Sequence, residues 1–468
     1  MLEEKQTTTA APAVPLRDEE GALRAEFVAR VAQAITAADA AALRELVGDL
    51  HQADLGDLVE ALEPDLRARL IKLLGQDFDF SALTKVDAAV REEILKELPG
   101  EAVAEGVRAL ESDDAVAILA DLPTDEQTQI LERLLAPERV ALARSLVYPE
   151  NSAGRRMQTE FIAVPPRWTV GRTIDYLRET PDLPDRFWEI YTSDSGGRLR
   201  GTVALDRLLR TKRPVPIEEL IDEEMHPVRV SDDQEDVARL FERYDLVSTP
   251  VVDANDRLVG VITFDDIVDV IEEEAEEDIL ALGGVGREEE LSDPVLSVAR
   301  GRFNWLLVNL ATAFLASSVL GLFEGQLQKM VALAVLAPIV ASQGGNAATQ
   351  TMTVAVRALA TRELSDANAV RLILREVLVG LVNGVAFAVI TGVAAAAWFK
   401  IPDLGLVIGL AMICNLVAGA LGGILVPLVL RHFRADPAIS SGVFVTTVTD
   451  VVGFFSFLGI ATLWFGLK

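Results

Sequence analysis

Five apolar stretches close the chain, at residues 303–323, 330–356, 377–399, 404–430 and 438–465. About 20 helical residues cross the roughly 30 Å of bilayer hydrocarbon, so each stretch is long enough to span. Five spans this close together predict a helical membrane bundle over residues 303–468. Of the 72 acidic residues, 65 precede Arg300, with 32 of the 43 basic ones, leaving about two thirds of the chain at a net charge of −33. So acidic a surface argues against nucleic acid and for cations. Arg300 and Arg302 precede the first stretch. Arg357, Arg362, Arg371 and Arg375 lie between the second and third, and Arg431 and Arg434 between the fourth and fifth. By the positive-inside rule the N-terminal part is cytoplasmic and the C-terminus outside. Residues 1–15 hold no apolar run, so no signal peptide is expected. Cys414 is the one cysteine and lies inside a membrane segment, which leaves no part for disulfides.

The soluble part reads as two kinds of structure. After an expected disordered tail at 1–20, residues 21–147 carry Leu and Val at helical spacing, punctuated by Glu63-Pro64, Leu98-Pro99 and Leu122-Pro123. Each Pro reads as opening a helix. Irregular spacing of these marks suits stacked helical hairpins in a small superhelical domain. From Met157 to Val270 β-branched runs alternate with helices, twice. "GGRLRGTVALDRLL" is echoed by "NDRLVGVITFDDIV", each a turn, a strand ending near Gly201 or Gly260, and a helix opened by Asp206 or Asp265. This duplicate resembles a tandem pair of CBS domains, placed at 148–264. Such modules commonly bind adenine nucleotides or metal ions, but no residue set fixes a nucleotide site here.

Residues 265–302 read as an acidic connector, a long helix leading straight to the first membrane stretch. Asp266, Asp269, Glu273, Glu276 and Glu277 recur three to four apart, stacking like charges on one face at a few tenths of a kcal/mol per pair. Either the face is a solvated connector, or divalent cations neutralise it. Its place below the membrane and the nearby Asp232, Asp233, Glu235 and Asp236 favour cations.

Within the apolar cores stand no Lys, Arg or His and one acid, Asp450, about 13 residues from each end of its stretch. An ionised carboxylate there costs a few kcal/mol or more unless paired or wet. It is either protonated or faces a water-filled path in which a cation supplies the counter-charge. Gly442, Thr446 and Gly453 share its face. The second stretch carries "PIVASQGGNAATQ", whose Ser342, Gln343, Asn346, Thr349 and Gln350 offer neutral oxygens. It reads as a helix-packing seam or as the wall of a path. Magnesium suits the wall, because Mg2+ keeps its water shell and binds through one or two carboxylates. Asn415, with Gly419 and Gly422, is expected to add to that wall.

The order of helical domain, CBS pair, acidic connector and five membrane helices resembles the MgtE magnesium channels. "YPENSAGRRM" at 148–157, "PIVASQGGNAATQ" and "FVTTVTD" ending at Asp450 look like that family's motifs. The resemblance implies a multi-pass homodimer in a bacterial plasma (inner) membrane, with the ion path on the symmetry axis and two copies of Asp450 facing one Mg2+. It also implies that cytosolic Mg2+ holds the pore shut. The matching acids are Asp233, Glu235, Asp245, Asp266, Asp269, Glu274, Glu277 and Asp278, with Asp436 at the cytosolic mouth of the fifth helix. ATP at the CBS domains is a further implied ligand. Two other readings stand beside the channel: a proton-coupled Mn2+ or Co2+ carrier, and a membrane Mg2+ sensor that transports nothing. A lone mid-membrane acid has no use in the sensor.

Overall fold

The computed structural model describes residues 16–467, apart from 182, 185, 223, 286–288, 290–293, 361–363, 365–367 and 434–436. The backbone alone is described at 360 and 437–441. The chain forms two units, residues 1–273 and 274–468.

Among the described residues the first unit opens with nine short α-helices: α1 (Ala25–Thr36), α2 (Ala40–Val47), α3 (Gln52–Ala61), α4 (Pro64–Leu74), α5 (Ala88–Glu97), α6 (Gly100–Ala109), α7 (Ser112–Ala120), α8 (Thr124–Leu131) and α9 (Ala136–Ser145). Their shortness follows from the punctuation. Asp39 and Asp87 cap the free N–H groups of α2 and α5, Pro64 takes the first position of α4, and Pro99 and Pro123 stand just before α6 and α8. None buries a face alone. Together they close one core running from Phe27 to Leu142, with Ile35, Leu43, Leu58 and Ile118 fully buried.

After α10 (Ala153–Arg156) come two copies of one plan. The first is β1 (Ala163–Val164), α11 (Val170–Glu179), β2 (Glu189–Ser193), β3 (Leu199–Ala204) and α12 (Leu205–Arg210). The second is β4 (Val228–Arg229), α13 (Gln234–Tyr244), β5 (Ser248–Val252), β6 (Leu258–Thr263) and α14 (Phe264–Leu282). In each sheet the first pair is parallel and the second antiparallel. The register slips at matching places, Thr192/Ser193 and Val251/Val252.

One detail corrects the sequence reading. The strands do not end near Gly201 and Gly260 but run on to Ala204 and Thr263. The glycines instead let a neighbouring segment lie against the strand: a Cβ at Gly201 would stand 2.8 Å from the Asp222 carbonyl, and one at Gly260 2.8 Å from that of Gln158.

The acidic helix α14 carries the chain from the first unit to the second. Its opening turns are held in the second CBS core by Ile267 and Val270. It does not continue straight to the membrane stretch, as the sequence suggested, but stops at Leu282. Gly284 takes a left-handed φ of 70°, and the Trp305 indole packs where its side chain would be.

In the second unit α15 (Val295–Leu322), the short α16 (Glu324–Lys329), α17 (Val331–Ala360), α18 (Ala369–Phe399), α19 (Pro402–His432) and α20 (Pro437–Phe465) follow. Five of these are long and apolar enough to cross a membrane. The most buried, α19, packs against α17, α18 and α20. Small residues bring backbones together: a Cβ on Gly405 would come within 2.5 Å of the Gly392 carbonyl. Leu306, Phe314, Val382 and Val389 project outward from α15 and α18, a surface suited to lipid.

Candidate ion path and acidic cluster

Asp450 lies 13 residues into the 29-residue α20, near its middle. Its side chain is half-buried, and among the described residues it makes no hydrogen bond or ion pair. The hydroxyls beside it are turned back onto their own helix: Thr446 donates to the Gly442 carbonyl at 3.0 Å and Thr449 to that of Thr446 at 2.9 Å. On α17, Ser342, Asn346, Thr349 and Thr353 form an exposed polar stripe at spacings of four, three and four. So polar a stripe is unsuited to lipid. The two helices meet beside these groups, since a Cβ on Gly345 would stand 3.8 Å from Thr449 Oγ1. Asn346 and Asp450 are each one residue from that crossing.

The structure separates the two sequence readings of the "PIVASQGGNAATQ" segment. Its Gly344 side is a packing seam, because a Cβ on Gly419 would meet the Gly344 carbonyl at 2.8 Å. Its Asn346 side is the free polar stripe. Asn415 is therefore not part of an open wall: it is fully buried and donates from Nδ2 to the Val340 carbonyl at 2.7 Å.

A second membrane-helix acid, Glu376, stands just before the third apolar stretch of the sequence. The structure carries α18 back past it and buries it, with Thr351 Oγ1 of α17 donating to Oε2 at 3.4 Å. Arg375 lies 3.9 Å from its other oxygen.

A different acidic group forms in the first unit, between α7 and the start of α14. Asp266 accepts from the Thr263 hydroxyl at 2.8 Å and faces Asp113 within hydrogen-bonding reach. Burial first, then the Asp266 and Asp114 charges, push the Asp113 carboxyl well above its usual range. Burial and the charges of Asp266 and Glu111 push Asp114 up to about 7, against the pull of Lys85. Glu111 is raised by burial first and then by the charges of Asp266, Asp265 and Glu160. Burial likewise raises Asp266, against the hydrogen bond from Thr263. Asp113 Oδ1 is buried with no partner among the described residues. Crowded carboxylates with an orphaned oxygen fit a hydrated divalent cation, which would relieve desolvation and repulsion together. Among the described residues no three His, Cys, Asp or Glu side chains are placed to hold a metal ion directly.

The sequence matches known families along most of its length. A model described as a divalent cation transporter, MgtE, matches residues 337–460, the MgtE intracellular N domain matches 50–151, and a CBS domain matches 217–273. The magnesium transporter MgtE of Enterococcus faecalis is 35% identical over 319 residues, covering 68% of this chain and 70% of that protein. That of Thermus thermophilus is 32% identical over 440 residues, covering 92% and 97%. The chain belongs to the MgtE family of magnesium transporters. A solved cytosolic domain of the Mg2+ channel MgtE in complex with ATP is also similar, at 30% identity over 52% of this chain and 99% of that one, with a TM-score of 0.49.

The other described acids expected from the MgtE resemblance lie along α13 and α14. Asp233 caps α13, accepting from the Glu235 N–H at 2.9 Å, and Glu235 pairs with Arg239 one turn on. Asp245 is exposed at the left-handed end of that helix. Asp269 is paired with Lys85 at 2.5 Å and Glu273 with Arg156, so part of the α14 face is neutralised by protein cations. Glu274, Glu277 and Asp278 follow on the same helix. Asp436 lies outside the described residues. Sequence reasoning missed Glu111, Asp113 and Asp114. The signal for them is the run "ESDDAV" opening a helix whose apolar residues belong in the core.

Proposed function

We propose that this MgtE protein is a Mg2+ channel that admits the ion along α17 and α20 and is held shut by cytosolic Mg2+ on its acidic soluble unit. The observation that carries the path is Asp450: a carboxylate halfway along a membrane-length helix, half-buried, with no cationic partner among the described residues. A passing cation supplies the counter-charge that no Lys or Arg supplies, and the Asn346 stripe supplies neutral oxygens to a hydrated ion. In a homodimer two copies of Asp450 would share one ion, halving the charge each must bear. The loop arginines support a cytoplasmic N-terminal unit and an outside C-terminus, and an inside-negative membrane potential would drive the cation inward.

Gating follows from the two ends of α14. Near its start, Asp266 sits in the crowded acidic cluster with Asp113 and Asp114. At its end, Ala281 and Leu282 pack against Met352 and Val356 of α17 and Val445 of α20. A 19-residue helix is about 28 Å long and transmits displacement as a rod. Ions that bind the packed cluster better than the separated one bias the rod toward its seat on the path helices. The path is tested by Mg2+ flux into proteoliposomes. Asp450→Ala abolishes flux while the protein still elutes and melts as the wild type; undiminished flux refutes the assignment.

A further inference from the structure

Asn415 of α19 stands at a place where both path helices approach it closely. A Cβ on Gly344 of α17 would lie 2.1 Å from Asn415 Nδ2 and 2.6 Å from its Cγ. One on Gly453 of α20 would lie 2.7 and 3.1 Å from the same atoms. The carboxamide thus fills a slot between two glycines, two residues before Asn346 on one helix and three after Asp450 on the other. Its orientation is fixed. Nδ2 donates to the Val340 carbonyl at 2.7 Å, and the flipped amide would set two oxygens against each other.

The other half of the amide is unsatisfied: Oδ1 is buried and has no partner among the described residues. A buried amide oxygen left so is destabilising, and an apolar side chain of similar size would remove that penalty. The residue is therefore poorly explained as packing. Pro338 removes the backbone donor to the Ala334 carbonyl, which weakens α17 one turn before the place where Asn415 holds Val340.

We propose that Asn415 is a positioning residue of the ion path. By pinning the Val340 turn of α17 and occupying the Gly344–Gly453 slot, it sets the separation and rotation of the helices that present Asn346 and Asp450. It touches neither of those residues in its role and binds no ion itself; it fixes the geometry that discriminates one hydrated divalent ion from another.

The inference rests on the ion-path reading, and the test separates the two. Full-length protein is reconstituted as wild type, Asn415→Leu, Asn415→Ala, Asn415→Ala with Gly453→Ala, and Asp450→Ala, and flux is measured for Mg2+, Mn2+ and Ca2+ beside thermal unfolding. Asn415→Leu is expected to melt no lower than the wild type yet to lose on the order of tenfold to a hundredfold in Mg2+ flux, the upper figure being the scale on which an ångström misplacement acts. Its Mn2+ to Mg2+ ratio is expected to change as well. If the slot were only a matter of volume, filling it from the other side in Asn415→Ala with Gly453→Ala would restore flux and ion preference. The inference expects restored stability without either.

Wild-type flux and ion preference in the double variant or in Asn415→Leu overturn the positioning role. If Asn415→Leu fails to fold, the double variant and Asn415→Ala decide alone. Should Asp450→Ala conduct normally, it is the path reading that fails, whatever Asn415 does.

Discussion

Asp114 offers the sharpest handle on the proposed gating, because protonation and Mg2+ binding would compete there for one carboxylate. Its carboxyl is raised to about 7 by burial and by Asp266 and Glu111. A raised carboxyl favours the packed state when protonated; that contribution is complete below about pH 4 and is lost as pH rises through about 7. At pH 6 Asp114 is then about nine-tenths protonated, at pH 7 about half, and at pH 8 about one-tenth. Mg2+ binding at the cluster must expel that proton. Apparent affinity for the cation therefore falls about tenfold from pH 8 to pH 6, close to 1.4 kcal/mol. Titration calorimetry on the full-length protein in detergent, in two buffers of different ionisation enthalpy, reads both the affinity and the protons released. Asp114→Asn removes this component and flattens the profile. Proton release that is equal at pH 6 and pH 8, or unmoved by Asp114→Asn, refutes the reasoning.

Lys85→Met removes the cation that holds Asp114 down, so the midpoint of proton release shifts above pH 7, while the melting temperature hardly moves, an exposed pair with Asp269 being worth under about 1 kcal/mol. Gly284→Ala places a Cβ 2.3 Å from Trp305 Nε1 at a left-handed φ, costing roughly 1–3 kcal/mol. Thermal unfolding is expected to register that loss, and current at high cytosolic Mg2+ is expected to rise as the end of α14 loosens. Phe457→Ala empties a fully buried position of α20 and costs about 3–5 kcal/mol, read as a lower melting temperature in detergent.

Membrane architecture was legible because apolar run length is a one-dimensional property: the five stretches and the five long helices coincide to within a few residues at most ends. Internal duplication was legible for the same reason, as a repeated order of turn, strand and helix. Where the reading failed, the cause lies in three dimensions. Gly201 and Gly260 looked like strand ends, yet their purpose is the close approach of the segments holding Asp222 and Gln158. The break at Gly283 and Gly284 was hidden by the acidic run before it, though a glycine pair is an ordinary helix stop. Asn415 looked like pore wall because polarity alone does not say which side of α19 meets a neighbour. Asp450 needed only its distance from the helix ends to be found. Asp113 and Asp114 needed to be seen against Asp266, some 150 residues away in sequence.

On the proposed reading, the Asp450 path and the α14 cluster act together, ion binding at the second closing the first. Current through inside-out patches, recorded while cytosolic Mg2+ is stepped upward, tests it most directly in the wild type and in a variant with Asp266, Asp269 and Glu277 neutralised together. The wild-type current is expected to close as Mg2+ rises, and the variant current, with the same ion preference, to stay open. Inhibition by Mg2+ retained in full by the variant contradicts it.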